Sequence, residues 1–282
     1  MDIFQETLTT GANGMVGSYV DFGIRTDHRS LDVTDLSMVR AVCREHKPKV
    51  IIHLAAATDL ARCEREPDYA YRVNAVGTYH MALVAREIGA KLVYVSTSSV
   101  FDGTKKSPYL ERDIPNPINT YGHSKYLAEL AVQGMLEDYL IVRATWIFGG
   151  GPDNDKKFVG KILKQLNQPT INVVVHKRGS PTYGKDMMQG IKRLIVEEKR
   201  GVFHMPNLGS ATRADIVREI LSITRSSATI KETDESIFAV AYQTGENDSL
   251  ASETTFFMRP WQDALCEYVE TEWDEYVRNS AT

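Results

Sequence analysis

Along the chain, short runs that are apolar on successive positions alternate with longer stretches in which apolar residues return every three or four positions. Val50-Ile51-Ile52-His53-Leu54-Ala55, Lys91-Leu92-Val93-Tyr94-Val95-Ser96 and Tyr139-Leu140-Ile141-Val142-Arg143 are of the first kind. Such runs suit strands buried on both faces of a parallel sheet. The second kind predicts helices over Asp35 to Glu45, Asp68 to Gly89 and Tyr121 to about Leu136. Asp32 or Thr34 can cap the first, and Asn119 or Thr120 the last. Two more strands are expected near the amino end. Gln5-Glu6-Thr7-Leu8-Thr9 is polar for a central strand, and Phe22-Gly23-Ile24-Arg25-Thr26 follows so soon that the crossover is minimal against the usual ~10–12 residues. The alternation predicts an α/β fold, a doubly wound parallel sheet of Rossmann-like type with right-handed crossovers.

After Gly149-Gly150-Gly151-Pro152 the pattern changes. A charged helix, Lys156 to Leu166, leads to a strand, Thr170 to Val175. A turn at Gly179-Ser180-Pro181-Thr182-Tyr183 enters a helix, Lys185 to Glu198, and Gly201-Val202-Phe203-His204-Met205 reads as a late strand of the main sheet. Helices over Arg213 to Thr224 and Trp261 to about Tyr276 are expected to cover a cleft. Residues 1–150 plus about 182–206 are therefore assigned to a dinucleotide-binding domain. About 151–181 and 207–282 are assigned to a smaller, discontinuous α/β substrate-binding lobe. No internal repeat or low-complexity segment is seen.

Composition narrows the classes. The 282 residues carry a net charge of -4, and no basic helix is present, so nucleic acid is not an expected partner. No apolar run approaches the ~20 residues that span a bilayer, and Met1 to Glu6 lacks the regions of a signal peptide. The three cysteines, Cys43, Cys63 and Cys266, are scattered. A reduced, cytoplasmic protein without membrane association is the expectation. The seven histidines form no His-x-x-x-His and no Cys/His cluster, so no metal site is expected.

Three segments carry candidate chemistry. Thr10-Gly11-Ala12-Asn13-Gly14-Met15-Val16-Gly17 is a glycine-rich turn after a strand; missing Cβ atoms let the backbone turn sharply and approach a diphosphate. A helix behind it would aim free N–H groups and a positive dipole end at the anion. Asp27, at the end of the second strand, can accept from ribose hydroxyls, whereas Arg25, His28 and Arg29 around it suit a 2′-phosphate. The balance slightly favours NADP(H), with NAD(H) the alternative. Asp32-Val33 can meet adenine, unless Asp32 is a helix cap. Downstream, Tyr121-Gly122-His123-Ser124-Lys125 places a phenol and an ammonium on one helical face, where the cation can hold down a phenol that titrates near ~10 in water. Thr97, just past a strand end, can orient a substrate carbonyl. Asn74, within a helix, can bridge backbone groups of neighbouring strands behind the site.

Together these residues resemble the extended short-chain dehydrogenase/reductase family, and within it the dTDP-4-dehydrorhamnose reductases. The resemblance covers most of the chain. It runs through Thr10 to Gly17, Leu31 to Asp35, His53 to Thr58, Val73-Asn74-Ala75, Ser96-Thr97 with Val100-Phe101-Asp102-Gly103, Tyr121 to Lys125, Val142 to Trp146, Pro181-Thr182-Tyr183 and Met258-Arg259-Pro260-Trp261. It implies NAD(P)H-dependent reduction of the 4-keto group of a nucleotide-diphosphate 6-deoxysugar, with Thr97, Tyr121 and Lys125 catalytic. On it, the cofactor would meet Gly11, Asn13, Gly14, Met15, Val16, Asp27, His28, Arg29, Asp32, Val33, Leu54, Ala55, Ala56, Thr58, Asn74, Tyr121 and Lys125. The substrate would meet Thr97, Ser98, Val100, Phe101, Tyr121, Trp146 and Lys157. A homodimer is expected from the family alone. Two other readings stay open: a nucleotide-sugar epimerase or dehydratase on the same scaffold, or a non-catalytic NADP-binding regulatory subunit resembling that of methionine adenosyltransferase.

Overall fold

The computed structural model describes residues 2–233, 242–254 and 258–280. In its first half, strands β1 (Thr7–Thr10), β2 (Ile24–Arg25), β3 (Val50–His53), β4 (Lys91–Thr97) and β5 (Tyr139–Ala144) are separated by helices α1 (Leu36–His46), α2 (Leu60–Arg65), α3 (Pro67–Ala70), α4 (Gly77–Ile88) and α5 (Thr120–Met135). Short strands β6 (Ile147–Phe148), β7 (Thr170–Val174), β8 (Arg178–Gly179) and β9 (Thr182–Tyr183) follow, with helices α6 (Gly151–Asn154), α7 (Phe158–Leu163) and α8 (Gly184–Val196) among them. The remainder holds β10 (Gly201–His204), β11 (Ala211–Thr212), α9 (Arg213–Thr224), β12 (Thr229–Thr233), α10 (Trp261–Glu272) and α11 (Asp274–Ser280).

The main sheet runs β10-β5-β4-β3-β1-β2, and every neighbouring pair is parallel. The expected late strand is thus the edge strand β10, beside β5. From β1 the chain moves outward to β2 and then returns to β3 on the other side. The strand order reverses between β1 and β3, and ligands of such sheets bind at the carboxyl ends beside that reversal. One face of the sheet packs Leu8, Ile51, Leu92 and Ile141 against α1, α4 and α5. The other packs Ile52, Val93 and Val142 against Met187, Met188, Ile191 and Leu194 of α8. A third cluster, from Phe148 through Val159, Val217, Leu265 and Tyr268 to Trp273, joins β6, α7, α9 and α10.

β1 is a central strand with three threonines, all buried. Two of the three hydroxyls are used: Thr7 donates to Ile3 O at 3.0 Å and Thr10 lies 2.7 Å from His53 Nδ1. The crossover from β1 to β2 is as short as the sequence suggests. It holds a single 3-10 turn, Gly17–Tyr19. Gly23 closes it at φ +63°, where a Cβ would lie 2.2 Å from Thr7 O. The sheet face that a longer helix would cover is filled by Val20, Phe22 and Phe4, with the Lys192 ammonium 4.7 Å from the Phe22 ring centre.

Helix ends follow local chemistry. Asp35, rather than Asp32 or Thr34, caps α1, accepting from Ser37 N–H and Met38 N–H. Asp32 instead closes its own turn onto Thr34. Asn119 caps α5 by accepting from Gly122 N–H. The long helix expected over 68–89 is interrupted by a π segment, Tyr71–Val76, and the last helix breaks at Trp273.

Candidate functional site

The glycine turn, the loop after β3, the loop after β4 and the start of α5 meet at the carboxyl edge of the sheet. Gly11 adopts φ +69°, and a Cβ there would lie 2.7 Å from Ala55 N; one on Gly17 would lie 2.6 Å from the Ala12 backbone. Both glycines are therefore required by backbone contact. Gly14 is exposed at the crest of the turn with Asn13. The expected helix behind the turn is only three residues long. So few aligned peptide dipoles add little macrodipole, and a diphosphate here would depend on the turn's own backbone and its neighbours. The cradle suits a dinucleotide, with Gly11, Asn13, Gly14, Met15 and Val16 on one side and Leu54, Ala55, Ala56 and Thr58 on the other.

Asp27 is already well occupied. Its Oδ1 accepts from Arg29 N–H and Ser30 N–H at 3.0 Å, and its Oδ2 accepts from Asn13 Nδ2 at 2.9 Å. These backbone donors hold its carboxyl below the usual range. Arg25 reaches back over the turn toward Ala12 O, and His28 and Arg29 are exposed beside it. Asp32 is exposed, while Val33 is buried.

Asn74 bridges, as expected, but between a loop and a helix. Its Oδ1 accepts from Ala57 N–H at 2.8 Å; its Nδ2 donates to Ala57 O at 3.1 Å and to Ser124 Oγ at 3.0 Å. It ties the loop after β3 to α5, one residue before Lys125. A second buried chain stands behind it. Thr78 donates to Asn74 O at 2.6 Å, so Thr78 Oγ1 must accept from His53 Nε2 at 3.0 Å, and His53 Nδ1 must accept from Thr10 at 2.7 Å. The imidazole is neutral: burial first, and Lys125 second, push it down to about 3.

Tyr121 packs with Ala57, Cys63, Ala70 and Val73. Burial pushes its phenol up to about 12, with the neighbouring Thr97 hydroxyl pulling the other way. Thr97 Oγ1 also accepts from Ser99 N–H at 3.1 Å, which fixes it at the strand end. The structure therefore sets Thr97 beside Tyr121. It does not bring the Lys125 ammonium against the phenol, as the helical spacing suggested. Lys125 Nζ donates to Val95 O at 2.7 Å and lies 4.2 Å from the centre of the Tyr94 ring. Burial drives this amine down to about 7, opposed by Glu129.

The remaining substrate candidates surround this edge. Ser98 and Val100 are buried in a 3-10 turn. Phe101 stacks on Tyr109 at 4.3 Å, so Val100 and Phe101 build the wall from behind. Trp146 is held at φ +45°, with Nε1 donating to Asp248 Oδ2 at 3.1 Å. Its ring lies against Gly179, where a Cβ would come within 2.3 Å, and under the Arg213 guanidinium at 4.9 Å. Lys157, just before α7, spans the cleft and donates to Thr58 O at 3.1 Å. Asp248, Arg213 and Glu129 were not singled out from sequence, whereas Arg143 lies in the Val142-to-Trp146 stretch that carries the resemblance. Of those three, only Glu129 left a signal there, a carboxylate one turn beyond Lys125 on the same helical face. Among the described residues no cluster of His, Cys, Asp or Glu could hold a metal ion, and no helix is long and apolar enough to cross a membrane.

A doubly wound parallel sheet with a glycine turn beside its reversal, and a Thr/Tyr/Lys set on the neighbouring strand and helix, defines a short-chain dehydrogenase/reductase-type protein. Comparison with known proteins makes the family specific. Residues 5–273 match the RmlD substrate binding domain family, and the chain belongs to that family. It is 38% identical over 223 residues to a dTDP-4-keto-6-deoxy-D-glucose reductase of Streptomyces niveus, covering 75% of this chain and 76% of that one. It is 30% identical over 279 residues to the spore coat polysaccharide biosynthesis protein SpsK of Bacillus subtilis, covering 94% and 97%. Its structure resembles that of a dTDP-4-dehydrorhamnose reductase from Bacillus anthracis solved in complex with NADP, with a TM-score of 0.89, 32% identity and coverage of 94% and 99%.

Proposed function

We propose that the chain is an NAD(P)H-dependent reductase of the 4-keto group of a dTDP-linked 6-deoxysugar. The observation that carries this reading is the placement of Thr97, at the end of β4, beside Tyr121 at the start of α5, on the carboxyl edge of the sheet that also holds the cradle formed by Gly11 and the loop after β3. The names of the relatives support the substrate class, and the NADP complex of the structural neighbour supports the cofactor. The engagement of Asp27 by Asn13 and by its own turn, with Arg29 and His28 exposed alongside, favours NADP(H) over NAD(H).

Bound NAD(P)H would supply the hydride. The protein's own residues do the rest. Tyr121 donates its proton to the alkoxide that forms at the former carbonyl oxygen, and Thr97 orients that oxygen by hydrogen bonding. Lys125 becomes available to Tyr121 and to the nicotinamide ribose once it leaves Val95 O. Asn74 keeps the loop after β3 fixed against α5, so that cofactor and proton donor hold one spacing. Trp146, Phe101 and Lys157 would line the sugar side of the cleft.

The same reading assigns residues 1–150 and about 182–206 to the dinucleotide-binding domain, and the rest to the substrate lobe. It places the protein in the cytoplasm, and takes the exposed apolar side chains Val76, Tyr79, Leu127 and Leu130 of α4, α5 and the adjoining π segment as the face on which a second copy would pair. The test of function is NADPH oxidation over dTDP-, GDP- and UDP-linked 4-keto-sugars. Stoichiometric NADPH loss with a dTDP-4-keto-6-deoxysugar supports the reading. Sugar conversion without net NADPH loss points to an epimerase or dehydratase, and cofactor binding with no turnover on any of these sugars points to a regulatory subunit.

A further inference from the structure

Lys125 and Glu129 lie one helical turn apart on the inner face of α5, and both are buried. Glu129 is gripped from β5. Arg143 Nε donates to its Oε1 at 2.9 Å and Arg143 Nη2 to its Oε2 at 2.6 Å. The guanidinium is itself fixed from the far side. His204 Nδ1 lies 3.1 Å from Tyr109 O and 3.0 Å from Ala251 O. Two carbonyl oxygens require the proton on Nδ1, which leaves Nε2 to accept from Arg143 Nη1 at 3.4 Å. The Arg143 guanidinium also lies 5.1 Å from the centre of the Phe101 ring. One carboxylate is therefore held fast by a buried guanidinium, one helical turn from a buried lysine.

Several groups face the Lys125 amine. Glu129 comes from its own helix, Tyr94 from β4 and His53 from β3; the Tyr121 phenol, on the same helix, does not meet it. Arg143 on β5 stands behind Glu129, and Cys63 on α2 lies beside Tyr121. His53 is neutral, and burial holds the Tyr94 phenol far above its ordinary range. Of the groups named, only Glu129 supplies a fixed negative charge.

We propose that Glu129, clamped by Arg143, is a positioning residue for the reduction: it is the counter-charge that keeps Lys125 cationic inside the protein, so that an ammonium is ready for the cofactor ribose and for Tyr121. The proposal rests on the preceding reading only in taking Lys125 as part of the active site. Burial opposes the charged amine and Glu129 favours it. Without Glu129, burial acts alone.

The test is a pH titration of the Lys125 side chain by NMR, with 13C-labelled lysine and the resonance assigned by its loss in Lys125→Met. Glu129→Gln should lower the Lys125 midpoint by about one pH unit. NADPH oxidation at pH 8 should then fall about tenfold, as the ammonium fraction falls, and the loss should shrink toward pH 5. Because Glu129→Gln leaves Arg143 buried without its partner, the double variant Glu129→Met, Arg143→Met provides a protein with neither charge. Its Lys125 midpoint should also lie below that of the wild type. An unchanged midpoint in either folded variant overturns the proposal. A lowered midpoint in a protein whose wild type reduces no keto-sugar leaves this inference standing and removes the proposed function instead.

Discussion

Gly122 lies between Tyr121, the proton donor, and Lys125 on α5, and replacing it with alanine sets two effects against each other. In a helix interior alanine is favoured over glycine by about 0.8–1 kcal/mol, and Gly122, in the first turn of α5, would gain at most about that. The packing says otherwise. A Cβ at Gly122 would lie 2.0 Å from Ser99 O, 2.9 Å from Ser99 C and 3.2 Å from Pro117 Cβ. The nearest obstacle is backbone, so no side-chain rotation relieves it. The loop that follows β4 would have to retreat by more than an ångström. Overpacking of this kind costs about 1–3 kcal/mol, and a rigid obstacle belongs at the upper end. After the gain in helix propensity, a net loss of about 2 kcal/mol remains, or roughly 5 °C in melting temperature for a chain of this size. The same loop is tied to Thr97 at the end of β4 by the Ser99 N–H, Thr97 lies beside Tyr121, and a misplacement of about 1 Å can lower turnover by ~100-fold. Thermal melts and NADPH oxidation with a dTDP-4-keto-6-deoxysugar should therefore both register Gly122→Ala. A variant more stable than the wild type, with full turnover, would refute the claim that close approach of α5 to Ser99 sets the spacing of Thr97 and Tyr121.

Other substitutions probe other joints. Tyr121→Phe should abolish turnover while leaving NADPH affinity, measured by fluorescence titration, nearly unchanged. Asn74→Leu strands the Ala57 N–H and C=O and should cost about 2–3 kcal/mol in urea melts; it should also weaken NADPH binding by loosening the loop after β3. His53 titrates near 3 in the fold against an ordinary 6.5. The unfolded chain therefore takes up a proton that the folded one refuses, and stability should fall as pH drops from about 6.5 toward 3. Urea melts over that range should show a shallower acid slope in His53→Asn, and an unaltered slope would mean that His53 does not carry the effect.

The buried strands were legible because residues such as Val50, Ile51 and Ile52 face apolar layers on both sides of the sheet and leave an unbroken run. The doubly wound fold followed from their alternation with α1, α4 and α5. The short crossover was legible from the spacing of Gly17 and Phe22, although what fills the resulting gap, Phe4 and Phe22 beneath Lys192, depends on contacts across β1. The helix α2 went unseen because its six residues are too few to show a period. β12 went unseen because it is mostly exposed and has no alternation to read. Within the site, spacing alone placed Tyr121 and Lys125 on one helix and Asn119 at its cap. It could not show that Lys125 turns toward Val95 O and Tyr94, since both lie on β4. Nor could it show that Asp248 meets Trp146, a hydrogen bond between residues far apart in the chain.

A structure of the protein with NADPH tests the central claim most directly. The nicotinamide should lie against Tyr121 and Thr97, with the diphosphate over Gly11 and Gly14 and the Lys125 ammonium moved from Val95 O to the ribose. A nicotinamide ring placed away from Tyr121, with Lys125 still bonded to Val95 O, would contradict it.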